Sequence, residues 1–164
     1  MTYSLDLEVR KSLDNHLLKI GEANPDSINK KLDISDLDSN CHYAEIYLSV
    51  GETGGVNSYP KDRSWVEYFL VKSPKIYLTG TIETKHYQYG IWIKTELDKG
   101  IDHNEIISAL IEEHFSKNKV LHLKEDRVLA INKVYQNATI ILDHKTNRLF
   151  NRVFVDCTVS IDNG

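Results

Sequence analysis

Val153-Phe-Val-Asp-Cys-Thr-Val-Ser-Ile161 is the stretch of sequence that decides the fold. Apolar residues occupy every second position, and Asp, Thr and Ser are among the residues between them. Successive side chains of a strand point to opposite faces of a sheet, so this alternation predicts a strand with one buried face. We expect Cys157 to behave as a small buried hydrophobic residue.

Further strands are predicted from short apolar or alternating segments. Residues 76–82 and 87–95 are interpreted as a hairpin whose turn is Glu83-Thr84-Lys85, and a turn from Asp143 to Asn147 leads into the final strand. The polar stretch 22–42 and the glycine-containing segment 51–64 are interpreted as long connections. The remaining strands are predicted at 43–50, 65–71, 128–131 and 138–142.

Two amphipathic helices are predicted, at 4–20 and from 102 to about 117. Ser4 is the expected N-cap of the first helix, and Gly21 is the residue at which we expect it to end. Asp102-His-Asn-Glu105 is a capping-box pattern that opens the second helix. His114 falls on the apolar face of that helix, so we expect a core or interface histidine with one hydrogen bond. The apolar positions are Leu5, Val9, Leu13, Leu17 and Ile20 in the first helix and Ile106, Ile107, Leu110, Ile111 and Phe115 in the second.

The predicted element order is therefore α-β-β-β-β-α-β-β-β. Strands and helices do not alternate regularly, which favours an α+β fold: a mixed, mainly antiparallel sheet packed by two helices. The chain has 164 residues, which is the length of one ordinary domain. We expect residues 1–164 to form a single domain.

The composition indicates a globular and mildly acidic protein. There are 24 acidic and 20 basic residues, giving a formal net charge of −4. Phosphate binding is driven by lysine and arginine, so this balance argues against a dedicated nucleic-acid-binding protein. The sequence also lacks a long apolar run and a signal-like N-terminus, so we expect no membrane span, no secretion and free thiols at Cys41 and Cys157.

The patterns that bind metals or nucleotides are incomplete. Asp36-x-Asp38-x-Asn40 begins like a calcium loop, but Cys41 and Tyr47 occupy the positions that require Gly and Glu. Gly51-x-x-Gly54-Gly55 lacks the Gly-Lys-Ser/Thr of a phosphate-binding loop, and the histidines lack the spacing of a zinc motif. We therefore expect no cofactor, no metal and no enzymatic activity.

Aromatic residues are the candidates for an interaction surface, because they are enriched in interface cores. Stacking on bases or sugars would need basic residues between them, and the nearest are Lys61, Arg63 and His86. We interpret the aromatic set as core plus subunit interface. The candidate interface residues are Trp65, Tyr68, Tyr87, Tyr89, Arg63 and Lys61.

Three segments carry a likeness to a known family. They are the opening helix with Val9-Arg-Lys-Ser-Leu13 followed by 44–50, the unit from Gly80-Thr-Ile through Tyr89-Gly-Ile-Trp-Ile93 into the helix at 105–115, and the final strand. In these segments, and in its element order along nearly the whole length, the chain resembles the tail terminator (tail completion) proteins of long-tailed bacteriophages and prophages. Segments 22–42 and 51–64 make it longer than the compact members of that family.

The resemblance implies a structural virion assembly protein. Such a protein forms a hexameric ring that caps the tail tube, ends its polymerisation and offers a surface for head joining. Its partners would be copies of itself, the tail tube protein and the head-tail connector protein, with DNA only as passing cargo and no membrane. It would be located in the virion tail, and in the host cytoplasm during assembly. We hypothesise that 51–64 contacts the tube or the connector.

Other classes of protein stay open. A neck or head-closure adaptor would also oligomerise, but it would bind on the portal side. A small ligand-binding domain would be monomeric with a closed apolar pocket. A small hydrolase would bring titratable groups with shifted pKa values together in a cleft.

Overall fold

The computed structural model of the chain describes residues 5–23, 28–30, 44–46, 65–136, 139–145 and 147–164. The helices in this part of the chain are α1 (Leu5–Ala23) and α2 (Gly100–Lys117), and a 3-10 turn at Leu97–Lys99 precedes α2. The strands are β1 (Ile28–Lys30), β2 (Ala44–Ile46), β3 (Trp65–Leu70), β4 (Lys75–Thr79), β5 (Ile82–Glu96), β6 (Val120–His122), β7 (Val128–Gln136), β8 (Ile141–Asp143) and β9 (Arg148–Asp162).

The strands form one mixed sheet in the order β1-β2-β3-β5-β9-β7-β6, with β4 paired to β5 and β8 paired to β9. The β1–β2 and β2–β3 pairs are parallel, and every other pair in the described sheet is antiparallel. The predicted α+β class, with a mainly antiparallel sheet packed by two helices, is confirmed. The element order has one strand more than predicted on each side of α2, namely β1 and β6.

The two longest strands form the centre of the sheet. β5 and β9 pair along their whole length, from Ile82 opposite Asp162 to Glu96 opposite Arg148. The odd-numbered residues of both strands face the helices, and from Val153 to Val159 each of them is buried. The alternation predicted for the final strand is therefore confirmed, and Cys157 lies in the core as expected. The helices contribute Val9, Leu13, Leu17, Ile20, Ile107, Ile111 and Phe115 to the same core.

The ends of both helices differ from the predictions. α1 continues through Gly21 to Ala23, and Gly21 is buried inside the helix. α2 begins at Gly100, two residues before Asp102, so the capping-box prediction is wrong. The 3-10 turn brings the chain into helical geometry earlier, and Asp102 lies in the first turn, where a carboxylate complements the helix dipole.

The β4–β5 hairpin turns earlier than predicted. Its two turn residues are Gly80 and Thr81, while residues 83–85 belong to β5. Gly80 has a φ of 63°, which glycine adopts without strain and which suits the first position of a two-residue hairpin turn. The predicted turn between Asp143 and Asn147 is confirmed, and Asn147 adopts a φ of 54°.

Several predictions fall on residues outside the described part of the chain. They concern Ser4, most of the connection 22–42 with its calcium-like pattern, the end of the strand predicted at 43–50, and the segment 51–64. Lys61 and Arg63 lie in that last segment, so two of the candidate interface residues have no described position.

Candidate functional site

Three of the aromatic residues expected at an interface lie in the core. Tyr68, Tyr87 and Tyr89 are at most 2% exposed. They point toward the helices, because Tyr87 and Tyr89 occupy odd positions of β5 and Tyr68 pairs with Ile91 on the same face. These three tyrosines therefore belong to the core part of the predicted set, and their assignment to a subunit interface is wrong. Trp65 contributes its backbone to β3, opposite Lys94.

These tyrosines attach the sheet to α1 through their hydroxyl groups. The Tyr68 hydroxyl donates to Asp14 Oδ1, and the Tyr87 hydroxyl donates to Asp6 Oδ1 at 2.6 Å. Burial raises the pKa of the Asp14 carboxyl to about 6. The pKa of Asp6 is lowered: burial opposes this shift, but the hydrogen bonds from Lys85 and Tyr87 outweigh it. These two hydroxyl–carboxylate hydrogen bonds hold α1 against the sheet.

The face of the sheet opposite the helices, here called the distal face, carries an aromatic ladder. Trp92 and Phe150 meet edge to face at 4.7 Å between centroids, and Tyr135 stacks with Phe154 at 5.1 Å. The Arg152 guanidinium lies 5.6 Å from the Phe150 centroid and 5.8 Å from that of Phe154. Sequence reasoning missed the three members that lie at even positions of β9. Their signal was the alternation of aromatic and charged residues with the buried valines.

Charges of both signs accompany this ladder. Lys94 lies 5.1 Å from the Trp92 ring and forms an ion pair with Glu67 at 2.9 Å, and Lys133 lies 4.7 Å from the Tyr135 ring. Asp156 is also on the distal face, opposite Gln88. A surface that tracks a nucleic-acid backbone is predominantly positive, so the carboxylates disfavour that use. Aromatic residues with mixed charges are more typical of a protein interface.

The β4–β5 hairpin carries the most exposed apolar surface of the described chain. Every residue of β4 is exposed, and the exposed fractions are 54% at Ile76, 52% at Tyr77 and 72% at Leu78. Ile82, across the turn, is 43% exposed. Ile76 and Leu78 pair with Lys85 and Glu83, so they point to the helix-facing side of the sheet but lie beyond the helices.

A second candidate surface, lined by both polar and apolar residues, lies at the other end of β5. It is an open groove of about 520 Å³ between the start of α2 and the end of β7. We call it the α2 groove. Beside it, Ile141 in β8 is also exposed. The residues that line the groove include Ile101, Glu105, Ala109, Gln136, Ile140 and Asn151.

A buried polar network supports the floor of the α2 groove. Asn104 Nδ2 lies 3.0 Å from Thr95 Oγ1 and 3.2 Å from the Leu149 carbonyl oxygen, and Ser108 donates to Asn104 Oδ1. Asn151 Nδ2 donates to Ser108 Oγ at 3.0 Å and to a groove residue, the Gln136 side chain, at 3.1 Å. The network holds α2 on the sheet beside the groove.

The histidine predicted in the second helix has a single side-chain partner among the described contacts. His114 Nε2 lies 2.8 Å from Nδ1 of His16 in α1, and burial lowers the pKa of both rings. The expected single side-chain hydrogen bond is present, but the ring is half-buried and lies outside the core, and its place at an interface stays a prediction. Within the described residues, no group of three or more His, Cys, Asp or Glu has the geometry to hold a metal ion.

Two further observations bear on the kind of protein. A second cavity, of about 190 Å³, lies beside the base of the hairpin and is lined by Lys72, His86 and Asp156 among others. It is smaller than the pockets that hold drug-sized ligands, which measure about 300–1,000 Å³. None of the helices within the described ranges is long and apolar enough to cross a membrane.

Comparison with known proteins adds no relative. No model of a protein family matches the chain, and a search of curated proteins finds no match. The proposals below therefore depend on the residues and surfaces described above.

Proposed function

We propose that this chain is a structural assembly subunit that joins copies of itself into a ring, and specifically a tail terminator that caps the phage tail tube, ends its polymerisation and offers a surface for head joining. The observation that carries the proposal is that every residue of β4 is exposed, including the apolar side chains of Ile76, Tyr77 and Leu78. Ile76 and Leu78 share one side of the strand, and exposed apolar side chains grouped in this way are typical of sites that bind other proteins.

The position of β4 in the sheet supports the same use. Within the described sheet β4 pairs with β5 alone. The outer edge of such a strand carries backbone N–H and C=O groups that a strand of another chain can pair with. A subunit that assembles through this edge gains main-chain hydrogen bonds in addition to the burial of apolar side chains.

The phage-specific part of the proposal depends on the resemblance in element order. The α+β class agrees with that resemblance. The formal net charge of −4 suits a ring through which DNA slides, because an acidic lumen repels phosphate groups. In this proposal the ring is hexameric, and its partners are the tail tube protein and the head-tail connector protein.

The test combines a mass measurement with a capping assay. Native mass spectrometry and negative-stain electron microscopy of the purified chain, alone and with tail tubes, should reveal six-subunit rings with a central pore. Added during tube polymerisation, the protein should stop tube growth and lie at tube ends. A protein that stays monomeric at every concentration, with and without tubes, would contradict the proposal. Rings that bind the portal side and not tube ends would indicate a neck adaptor instead.

A further inference from the structure

The hairpin and the α2 groove lie at opposite ends of the same strand. The turn Gly80–Thr81 precedes β5, whereas Ile101 follows its end and Asn151 pairs with Ile93 near that end. Leu78 pairs with Glu83 and Asn151 pairs with Ile93, so ten residues of extended strand separate the two surfaces, which corresponds to about 33 Å. The two surfaces are different in shape: one projects from the sheet edge and the other is concave.

From this arrangement we infer that the two surfaces bind each other between neighbouring copies, with Ile76 and Leu78 of one protomer inserted in the α2 groove of the next. The inference rests on the proposed assembly function and names the contact that performs it. A contact between two different patches is heterologous. Two bound copies therefore keep a free groove at one end and a free hairpin at the other, and each of these can bind a further copy. Such a chain of contacts closes into a ring when the rotation per subunit allows it.

Size supports this pairing. The α2 groove has a volume of about 520 Å³, which is room for more than one side chain, and its wall includes the apolar residues Ile101, Ala109 and Ile140 beside polar ones such as Gln136 and Asn151. Leu78 at 72% exposure and Ile76 at 54% lie two positions apart on β4 and point to the same side, so both enter one groove together. Burial of both removes their apolar surface from water.

Charge supports the same pairing. Lys72 and Lys75 are exposed at the base of the hairpin. Glu105 lines the groove, and Asp102, which is also exposed, lies in the first turn of α2. The base of the hairpin and the start of α2 therefore carry charges of opposite sign, whereas Glu83 and Asp162 lie at the tip of the hairpin. Opposite charges at the rim of an interface fix its orientation and speed the encounter.

The experiment introduces one negative charge into each patch. Leu78→Glu disables the hairpin and leaves the groove intact, and Ile101→Glu disables the groove and leaves the hairpin intact. Each variant alone should lose self-association by about 10²-fold or more in dissociation constant. Val120→Glu is the matched control, because Val120 is 55% exposed in β6 and lies in neither patch. That control should assemble like the natural chain.

Mixing the two variants distinguishes a heterologous contact from a symmetric one. The intact groove of Leu78→Glu should bind the intact hairpin of Ile101→Glu, so an equimolar mixture should form one-to-one dimers that grow no further. Sedimentation velocity measures this mass directly. If Leu78→Glu abolishes assembly while Ile101→Glu does not, the hairpins pair with each other and the inference is wrong.

A cross-link provides a second measurement that does not depend on disrupting the contact. With Cys41 replaced by serine, Leu78→Cys and Ala109→Cys in one chain should form intermolecular disulfide ladders under mild oxidation, whereas either cysteine alone should not. If both glutamate variants form rings as the natural chain does, the proposed contact is wrong, but the proposed assembly function is not contradicted. A natural chain that never associates would overturn the assembly function itself.

Discussion

His16 in α1 and His114 in α2 form a direct contact, with Nδ1 of the first ring 2.8 Å from Nε2 of the second. A hydrogen bond between two ring nitrogens needs one donor and one neutral acceptor, so at least one ring must be uncharged. Burial lowers the pKa of His16 to about 4, and the neighbouring charges of His114 and Lys19 act in the same direction. Burial and Lys19 lower the pKa of His114 as well.

Stability should therefore fall as the solution becomes acidic. Between the ordinary histidine pKa near 6.5 and the folded value near 4 for His16, the unfolded chain binds more protons than the folded one. The stabilising effect of the neutral pair is complete above pH 6.5 and decreases as the pH falls toward 4. We expect a loss on the order of 1 kcal/mol, because both rings keep some contact with water.

The measurement is guanidinium unfolding at several pH values between 7.5 and 4.5, for the natural chain and for His16→Gln/His114→Gln. Asp14 acts in the opposite sense: its raised pKa of about 6 means that the folded state gains its proton first, which adds stability as the pH falls. Because Asp14 is the same in both proteins, the difference between them isolates the histidines. Equal pH dependence in the two proteins would show that the histidine pair is not responsible.

The ion pair between Glu8 and Arg127 should contribute measurably to stability. Arg127 Nη2 donates to Glu8 Oε2 at 2.6 Å, and the Glu8 side chain is only 7% exposed. Arg127→Met leaves this carboxylate without that partner in a poorly hydrated place, so we expect a loss of about 2–4 kcal/mol. Adding Glu8→Gln to that variant should recover part of the loss.

A double-mutant cycle gives the coupling energy of the pair, and an exposed pair supplies the control. Lys117 and Glu113 lie four residues apart in α2, with side chains 72% and 58% exposed. Their coupling should be much weaker than that of the Glu8–Arg127 pair, because water screens exposed ion pairs. Similar coupling energies for the two pairs would contradict the expected effect of burial.

Asn104 should be intolerant of aspartate. Its Nδ2 lies within 3.3 Å of three acceptors, the Ile93 and Leu149 carbonyl oxygens and Thr95 Oγ1. Asn104→Asp replaces the donor with an oxygen that faces these acceptors, so we expect a loss of about 3 kcal/mol or more. Asn118→Asp is the control, because the exposed Asn118 amide donates to a helix carbonyl at 2.8 Å and should cost less than about 1 kcal/mol. Thermal unfolding of both variants compares the two losses.

Gly80 should tolerate asparagine better than alanine. Its φ of 63° disfavours residues with a Cβ, although a Cβ at this position would meet no atom within 4 Å. The cost of Gly80→Ala is therefore conformational, about 1 kcal/mol, and Asn adopts the left-handed region more readily. Hydrogen-exchange protection of β4 amides, measured for both variants, should fall more for alanine. The reverse order would show that the turn has another geometry in solution.

The spacing of apolar residues was enough to predict the buried face of the longer helices and strands. The alternation in β9 and the apolar faces of α1 and α2 predicted buried residues that the structure places in the core. The same reasoning could have assigned the tyrosines of β5 to the core, because Tyr87 and Tyr89 share a face with Ile91 and Ile93. The aromatic residues were instead treated as one set, although neighbouring side chains of a strand point to opposite faces of the sheet.

Short strands and turns depended on partners distant in sequence. β6 has three residues, and its pairing with β7, not its own composition, makes it a strand. The hairpin turn at Gly80–Thr81 follows from the register that pairs Thr79 with Ile82. Local propensity alone could not select that register over one with the turn at residues 83–85.

By itself the sequence determined the fold class, the two helices and the buried face of the final strand. These features follow from the spacing of apolar residues within one short segment, which matches the period of a helix or a strand. Only the tertiary structure decided where exposed apolar surface lies. The hairpin and the α2 groove come from the pairing of β5 with β4, and from the way α2 packs on the end of the sheet. The strand pairing and the helix packing both depend on contacts between residues far apart in the chain, which the local pattern of apolar residues does not specify.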